Sequence, residues 1–497
     1  MNQSLLSPAP ETAPDFAGLI ARLADRVPRH CILSKVEDTR PYECDGLSLY
    51  RALPPVVILP ENEAQVVAVL RECKALNIPI VARGAGTGLS GGAMPHAQGV
   101  LMGLAKLNRI KSIDLDTATA VVEPGVRNLA ISEAAAPYGL YYAPDPSSQI
   151  ACTIGGNIAE NSGGVHCLKY GLTVHNVLRV RVVTIDGDVV ELGSGAPDTP
   201  GLDLLAAFIG SEGMLGIVTE ITVKLIPKPS CARVIMASFG SVESASLAVT
   251  NVIAAGIIPA GLEMMDKRAV HMVEPFVKAG YDLDAEAILL CESDGTEEEV
   301  EDEIARMQAV FQDAGATRLQ VSASEAERLV FWAGRKNAFP AAGRISPDYY
   351  CMDGTIPRRH LGRVLSAIEQ MEDEFRLRCA NVFHAGDGNL HPLILFDSNQ
   401  PDEVERAEKF GAAILELCVQ VGGTITGEHG VGMEKINQMC VQFTREELDY
   451  FLAFKRAFDP YGLLNPEKVV PTLARCAEYG KMHVHGGNIR FPELPRF

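Results

Sequence analysis

The segment RGAGTGLSGG (83–92) places five glycines directly after the predicted strand IPIVAR (78–83). Without β-carbons in the way, its backbone N–H groups can converge on an anion. Residues 86–91 also match G-x-G-x-x-G, but a dinucleotide fingerprint opens a helix and is followed after about 20 residues by an acidic side chain. Here AMPHAQGVLMGL continues with a proline and another strand. The pattern therefore argues against a Rossmann site and leaves two alternatives open, a phosphate-binding loop and a tight turn between strands.

Two further glycine-rich segments favour the phosphate-binding alternative. One runs from PDPSS (144–148) through TIGGN (153–157) to NSGG (161–164), and the other is GSEGMLGIV (210–218). Three such loops in one domain suit a long, flat cofactor with two phosphates that lies across exposed backbone.

Helical and strand patterns alternate along the chain and predict a protein with both element types and more than one core. The run VLRVRVVTIDGDVVEL (177–192) predicts a hairpin around Asp186-Gly187. Two prolines, at 227 and 229, mark the end of a first domain. From Cys231 a strand-helix-strand pattern restarts, which is compatible with a ferredoxin-like sheet covered by helices. The acidic run 297–303 is expected to be a solvated first helical turn.

Composition and charge narrow the functional classes. The chain carries 44 Lys plus Arg against 63 Asp plus Glu, a net charge of -19, which opposes binding to nucleic acids and anionic lipid surfaces. No stretch approaches the ~18 apolar residues that span a bilayer, and the N-terminus lacks the pattern of a signal peptide. We therefore expect a cytoplasmic protein without nucleic-acid partners, whose membrane contact, if any, is peripheral.

The twelve cysteines are scattered and never form C-x-x-C. Ferredoxin-type iron-sulfur clusters need closely spaced thiolates, so a cluster in this chain is not expected. If electrons leave this protein one at a time through such a cluster, another chain must hold it.

The segment HAGDGNLH (384–391) lies between the predicted strands NVF and PLILF. Its Gly-Asp-Gly-Asn turn can bring His384 and His391 together. With Glu428 they form a three-ligand set for Zn, Mn or Fe that leaves positions open for substrate. His429 is then free to act as a general base. Each histidine alone is more often an ordinary core or loop residue, but the joint pattern favours a metal site.

Four segments resemble the FAD-binding domain of the vanillyl-alcohol oxidase and p-cresol methylhydroxylase (PCMH) type. They are PVVILP (55–60), RGAGTGLSGG, PDPSSQIACTIGGNIAENSGG and GSEGMLGIVTE. Relatives that tether flavin covalently use a His or Cys near the first loop, and residues 83–92 contain neither, so the resemblance implies non-covalent FAD. The implied cofactor-binding residues are Arg83, Gly84, Ala85, Gly86, Thr87, Gly88, Pro144, Ser148, Thr153, Gly156, Asn157, Gly163, Gly213, Gly216, Ile217 and Asn465.

The histidine motifs resemble the C-terminal domain of FAD-linked 2-hydroxy-acid oxidoreductases. The segments YECDGLSLYR (42–51), FWAGRKNAFPAAGRISPDYYCMDGTIPRR (331–359) and the ending CAEYGKMHVHGGNIRFPELPRF are similar to the flavin subunits of bacterial glycolate oxidases, also called glycolate dehydrogenases. The resemblance implies an α+β fold with a PCMH-type FAD-binding domain (50–229) after an N-terminal segment (1–49). It further implies a ferredoxin-like α/β substrate domain (230–425) and a C-terminal segment (426–497) that closes over the flavin with its helices.

The resemblance also implies roles for individual residues. His384, His391 and Glu428 match metal ligands, and His429 matches the base. Arg335 matches the arginine that binds the substrate carboxylate, although from its local sequence a surface helix cation is the commoner role. Asn389 matches a substrate-contacting position or one that supports the ligands.

Two parts of the sequence depart from the family pattern, and two histidines near the end of the sequence are further potential ligands. The residues Phe339-Pro340-Ala341-Ala342 replace polar side chains that hydroxyglutarate enzymes use for a distal carboxylate, which favours a small hydroxy acid. Glu467 stands where many relatives have glycine, so contacts just after Asn465 are unsettled. His483 and His485 are expected to be tail or interface residues and not ligands.

The resemblance implies FAD-dependent oxidation of glycolate to glyoxylate by hydride transfer to flavin. Electrons would pass to an iron-sulfur subunit, a second FAD-domain subunit and quinone, in a complex that contacts the inner membrane peripherally. The alternatives are a D-lactate dehydrogenase, a metal hydrolase on a fold that has lost flavin, and a non-catalytic scaffold subunit.

Overall fold

The computed structural model describes residues 13–196 and 201–471. The strands are, in chain order, β1 Ile32–Leu33, β2 Val56–Ile58, β3 Ile80–Arg83, β4 Val100–Gly103, β5 Ile110–Asp114, β6 Thr119–Val122, β7 Leu140–Tyr141, β8 Val177–Val183, β9 Val189–Gly193, β10 Ile217–Lys224, β11 Ile226–Pro227, β12 Cys231–Phe239, β13 Gly261–Asp266, β14 Ala287–Gly295, β15 Ala316–Val321, β16 Asp348–Cys351, β17 Arg378–Phe383 and β18 Pro392–Phe396.

The helices are, in chain order, α1 Phe16–Leu23, α2 Val36–Thr39, α3 Glu63–Ala75, α4 Asn128–Ala135, α5 Ile154–Glu160, α6 Cys167–Tyr170, α7 Thr173–Asn176, α8 Leu204–Phe208, α9 Val242–Ala254, α10 Lys267–Val277, α11 Glu297–Asp313, α12 Glu325–Lys336, α13 Ala338–Ala342, α14 Leu361–Phe375, α15 Glu403–Gln420, α16 Ile436–Gln442 and α17 Arg445–Phe458.

The first sheet has the order β1-β2-β4-β3, with parallel pairing among β2, β4 and β3. Every residue of β4 is buried, as expected for a parallel strand covered on both faces. Because the glycine-rich segment 84–92 follows β3, it emerges at the carboxyl end of this sheet, where ligands bind in open α/β sheets.

The second sheet is antiparallel with the order β5-β6-β10-β8-β9. Strands β8 and β9 form the predicted hairpin, with Val183 opposite Val189. Gly187 in the connecting turn has φ +76°, a conformation that glycine adopts without steric cost. The hairpin prediction from Asp186-Gly187 is therefore confirmed.

The third sheet has seven antiparallel strands in the order β15-β12-β14-β13-β17-β18-β16. It begins at Cys231, where the strand-helix pattern was predicted to restart. One cluster of buried apolar residues includes side chains of both the second and the third sheets, such as Ile221 and Ile235. A shared core therefore fixes the second and third sheets relative to each other.

The acidic run opens α11 as predicted. Thr296 caps this helix, its side chain accepts from the backbone N–H of Glu299, and the Glu299 carboxylate accepts from the backbone N–H of Thr296. Both Glu297 and Glu298 are exposed to solvent. Negative charge at a helix N-terminus is favourable, so the run needs no catalytic explanation.

The C-terminal segment returns to the first sheet after α16 and α17. Leu464 lies beside Ile80 of β3, and the side chain of Asn465 donates to the carbonyls of Gly92 (3.1 Å) and Glu212 (2.6 Å). Glu467 has φ +64°, a left-handed conformation that favours glycine.

Candidate active site

A cavity of about 520 Å³ lies between the glycine-rich loops and the third sheet. One wall carries predicted cofactor-binding residues from all three loops, namely Arg83, Gly84, Ala85, Gly86, Thr87, Gly88, Ser148, Thr153, Gly156, Asn157 and Gly213. The same cavity is also lined by Arg335, His391, Glu428 and His429. The structure thus brings the predicted cofactor loops and the predicted catalytic residues to one space.

Five predicted cofactor-binding residues are not among those that line this cavity: Pro144, Gly163, Gly216, Ile217 and Asn465. The carbonyl of Pro144 accepts from Asn128, and Asn465 ties the C-terminal segment to two loops. A β-carbon at Gly163 would lie 2.5 Å from an oxygen of Glu428. At Gly163 the glycine thus permits close approach of the acidic ligand candidate.

The first loop needs glycine at position 86 for two reasons. Its φ is +72°, and a β-carbon there would lie 2.2 Å from the guanidinium of Arg83. That guanidinium folds under the loop and donates to the carbonyl of Cys44 at 2.5 Å. Arg83 therefore supports the loop conformation from inside.

The turn between β17 and β18 brings His384 and His391 together, as the sequence predicted. The backbone N–H of His384 donates to Asn389, and that of Gly388 donates back to His384. The Nε2 atoms of His384 and His391 lie 3.2 and 3.0 Å from Oε1 of Glu428. All three potential ligand atoms lie within 4.8 Å of one another.

This donor set fits a divalent cation on three grounds. Two imidazole nitrogens and one carboxylate oxygen are suitable ligands for Zn, Mn or Fe. The two Nε2 atoms converge on one oxygen, and the Nδ1 atom of His391 is buried without a hydrogen-bond partner. Although burial opposes it, the carboxylates of Glu263 and Glu428 raise the pKa of His384 to about 10. The site thus favours positive charge, which a proton or a cation can supply.

Glu263 on β13 was not identified from the sequence. Its carboxylate lies 2.6 Å from Nδ1 of His384 and accepts from Nε of Arg335 at 2.6 Å. Glu263 is 1% exposed. Despite burial, His384 and Arg335 lower the pKa of Glu263, so it is a charged partner of both groups. A carboxylate behind a ligand histidine fixes the ring orientation and increases its basicity.

Arg335 is buried near the C-terminal end of α12 with 2% exposure. The alternative of a surface helix cation is therefore wrong. Its Nε atom is bound to Glu263, which leaves the terminal amino groups of the guanidinium for a carboxylate ligand. Phe339 and Tyr349 line the same cavity, and their ring centroids lie 5.7 Å apart.

Asp353 shapes the loop that carries Glu428 and His429. It is fully buried and accepts from the backbone N–H groups of Gly427 (3.1 Å) and His429 (2.8 Å). Asn389 donates its side-chain amide to the other oxygen of Asp353 at 2.9 Å. The structure thus places Asn389 behind the loop, where it supports the ligand residues.

The ring of His429 stacks on that of His391 with centroids 4.9 Å apart. Burial lowers the pKa of His429 to about 4, although Asp353 opposes this shift. Its Nδ1 atom is buried and has no hydrogen-bond partner. The lowered pKa favours the neutral imidazole at neutral pH, and His429 lines the cavity.

Comparison with known proteins agrees with this architecture. Residues 54–193 match the family described as FAD binding domain, and residues 228–469 match FAD linked oxidases, C-terminal domain. The glycolate oxidase subunit GlcD of Escherichia coli (strain K12) is 61% identical over 483 residues, which cover 97% of each chain.

The chain belongs to the FAD-linked oxidase family. A D-lactate dehydrogenase of Anaerostipes hadrus, 32% identical over 91% of this chain and 97% of its own, is a more distant relative in the family. The solved structure of p-cresol methylhydroxylase with substrate bound has a TM-score of 0.75 at 17% identity and covers 91% of this chain and 96% of its own. The predicted PCMH-type fold and FAD as cofactor are confirmed.

Two further expectations concern the histidines near the end of the sequence and the membrane. His483 and His485 lie outside the described residues. Within residues 13–196 and 201–471, no helix combines the length and the apolar character needed to cross a bilayer.

Proposed function

We propose that this protein oxidises glycolate to glyoxylate with non-covalently bound FAD and a divalent cation. The observation that carries the proposal is that Arg335, His429 and two of the ligand candidates, His391 and Glu428, line the same cavity as the glycine-rich loops. The third candidate, His384, lies beside them. The 61% identity to a glycolate oxidase subunit supports glycolate as substrate. The first loop has no His or Cys for a covalent flavin bond.

The proposed division of the chain follows these roles. Residues 50–229 would bind FAD after the N-terminal segment 1–49, residues 230–425 would bind substrate, and residues 426–497 would supply Glu428, His429 and the closing segment.

When bound, FAD would accept the hydride from the substrate carbon, and a cation held by His384, His391 and Glu428 would lower the pKa of the substrate hydroxyl. Arg335 pairs with the substrate carboxylate and orients the molecule. His429 accepts the hydroxyl proton at its imidazole, and loss of that proton raises the electron density at the carbon. Glu263 keeps both His384 and Arg335 in place.

The cavity favours a small substrate with one carboxylate. Phe339 and Tyr349 present aromatic surface near Arg335, and Pro340 also lines the cavity. A distal carboxylate that packs against this apolar surface would lose its hydration. The geometry therefore favours glycolate or D-lactate over a diacid.

Anaerobic titration of the purified holoenzyme tests the substrate. The quantity to compare is the limiting rate of flavin bleaching divided by the dissociation constant of the substrate. We expect this ratio to be highest for glycolate, lower for D-lactate and lowest for D-2-hydroxyglutarate. Faster bleaching by D-lactate would assign the alternative D-lactate dehydrogenase function. If the protein contains flavin but no 2-hydroxy acid reduces it, the result would favour a scaffold subunit. If the purified protein contains metal but no flavin, the result would favour a metal hydrolase.

Removal of the cation tests the ligand set. Dialysis against a chelator is expected to lower the rate of flavin bleaching about 100-fold, because a bound cation supplies several kcal/mol of charge stabilisation. Readdition of Zn, Mn or Fe should restore the rate and identify the effective ion. Glu428→Gln should lose metal content, measured by elemental analysis, whereas Glu303→Gln, at a half-buried position outside the cavity, should keep it. Full activity with no metal would refute the site.

Electron transfer to partner subunits is also part of the proposal. The E. coli relative is named as a subunit, and the cysteines of this chain show no cluster spacing. An iron-sulfur subunit and a second FAD-domain subunit would carry electrons to quinone, with the protein cytoplasmic and peripheral at the inner membrane. Rapid turnover of the isolated chain with oxygen, unchanged by partners, would contradict this part.

A further inference from the structure

Asp145, His166 and Glu292 form a chain of contacts between the second glycine-rich segment and the third sheet. The ring atom Nδ1 of His166 lies 2.7 Å from Oδ2 of Asp145, and Nε2 lies 3.2 Å from Oε1 of Glu292. The backbone N–H of His166 also donates to Oδ1 of Asp145 at 3.1 Å. Asp145 belongs to the second glycine-rich segment, in which Pro146, Ser147 and Ser148 line the cavity.

Glu292 continues this chain to the helix that carries Arg335. It lies on β14, is 2% exposed, and its Oε2 accepts from Arg328 (2.7 Å) and from the indole of Trp332 (2.5 Å). Both residues belong to α12, where Trp332 lies about one turn and Arg328 about two turns before Arg335. Glu292 and Glu263 therefore attach α12 to two adjacent strands of the third sheet.

The charges around His166 favour the imidazolium form. Burial alone would lower the pKa of His166, but Asp145 and Glu292 outweigh it and hold the pKa well above its usual range. Glu292 remains charged because His166 and Arg328 lower its pKa to about 2 against the effect of burial. The charged ring can then donate to a carboxylate at each nitrogen.

We propose that His166 is a positioning residue that links the cofactor-binding loop 144–148 to α12 and so sets the separation between flavin and substrate. This inference rests on the proposed function. Val165, beside His166, packs against the third sheet near α12. A β-carbon at Gly261 of β13 would lie 2.8 Å from the side chain of Val165 and 3.5 Å from Trp332 of α12.

The expected signature separates positioning from substrate binding. Arg335 should keep its hydrogen bond to Glu263 when His166 is changed, and Glu263 also contacts the ligand candidate His384. Substrate affinity should therefore change little. The rate of hydride transfer depends on the distance between the substrate carbon and the flavin. Small displacements of reacting atoms cost about 100-fold in rate.

His166→Gln and Asp145→Asn holoenzymes test the proposal by anaerobic stopped-flow reduction with glycolate. We expect each variant to lower the limiting rate of flavin reduction about tenfold or more, with the dissociation constant of glycolate within about threefold of the wild-type value. The double variant should be no slower than the slower single variant, because both substitutions break the same link.

Tyr170→Phe is the matched control. Tyr170 lies four residues from His166 and donates to Asp294 on the same strand as Glu292, but Asp294 makes its hydrogen bonds to Lys169 and Tyr170 and not to α12. This variant should keep the wild-type limiting rate. Equal loss in Tyr170→Phe, or a change confined to the dissociation constant, would overturn the proposal.

A measurement without substrate separates this inference from the proposed function. Amide hydrogen exchange of the holoenzyme should increase in both 144–148 and α12 of His166→Gln, and in neither segment of Tyr170→Phe. If wild-type protein is reduced by no hydroxy acid, the proposed function fails and the exchange result alone decides whether His166 links the two segments. Unchanged exchange in both segments would overturn the link, and so would unchanged rates in a reducible enzyme.

Discussion

His429→Ala is expected to retain yellow, FAD-bound protein and to lower the limiting rate of bleaching by glycolate about 10²- to 10⁴-fold. This is the usual contribution of a positioned general base. Burial lowers the pKa of this imidazole to about 4, and the ring stacks on His391 and lines the same cavity as the glycine-rich loops. The measurement is anaerobic stopped-flow absorbance at saturating glycolate, with FAD and metal content determined on the same preparation.

The control for this variant is His271→Ala. His271 is exposed on α10 and contacts the backbone carbonyl of Leu283, outside the cavity. It should bleach at the wild-type rate. Undiminished bleaching by His429→Ala, with metal and FAD retained, would remove His429 from the role of base and leave the proton transfer to another group.

Glu263→Gln is expected to lower the free energy of unfolding by about 3–5 kcal/mol, the cost of removing one charged partner from a buried ion pair. The variant leaves the Arg335 guanidinium, 2% exposed, beside an uncharged amide. We also expect the metal affinity to fall about 10- to 100-fold, because the carboxylate behind His384 is lost. Urea unfolding followed by fluorescence of Trp332, the single tryptophan, and metal titration measure the two effects.

Met264→Leu, at the next position of β13, serves as the control. Met264 is fully buried, and an exchange of similar volume usually costs less than about 1.5 kcal/mol. If Glu263→Gln has the same stability and metal affinity as this control, Glu263 is not a required partner of Arg335 and His384.

The sequence predicted the parts of the site that depend on local patterns. Glycine frequency at 83–92 indicated a loop of accessible backbone, and Asp186-Gly187 between alternating runs predicted a hairpin that the structure contains. The turn between His384 and His391 is also local, since the two histidines are seven positions apart. Turn chemistry and strand periodicity operate over a few residues, so one sequence is sufficient to recognise them.

The supporting carboxylates were accessible only through the tertiary structure. Glu263 lies in the segment LEMMD, where an acidic residue among apolar ones was the available signal, and its partners are 72 and 121 residues away. Asp353 binds the loop of Glu428 from 75 residues away. Such contacts depend on which strands become neighbours, and the sequence of a single strand does not specify its neighbour.

Burial of Arg335 shows the same division between local pattern and tertiary packing. The local sequence favoured a surface helix cation, and the structure places Arg335 2% exposed against Glu263. The sequence by itself determined the cofactor loops, the main strands and the residue types of the ligand set. The packing of the third sheet against the loops determined which charged side chains form pairs. A buried charge is stable only with a charged or hydrogen-bonding partner, and here that partner is distant in the sequence.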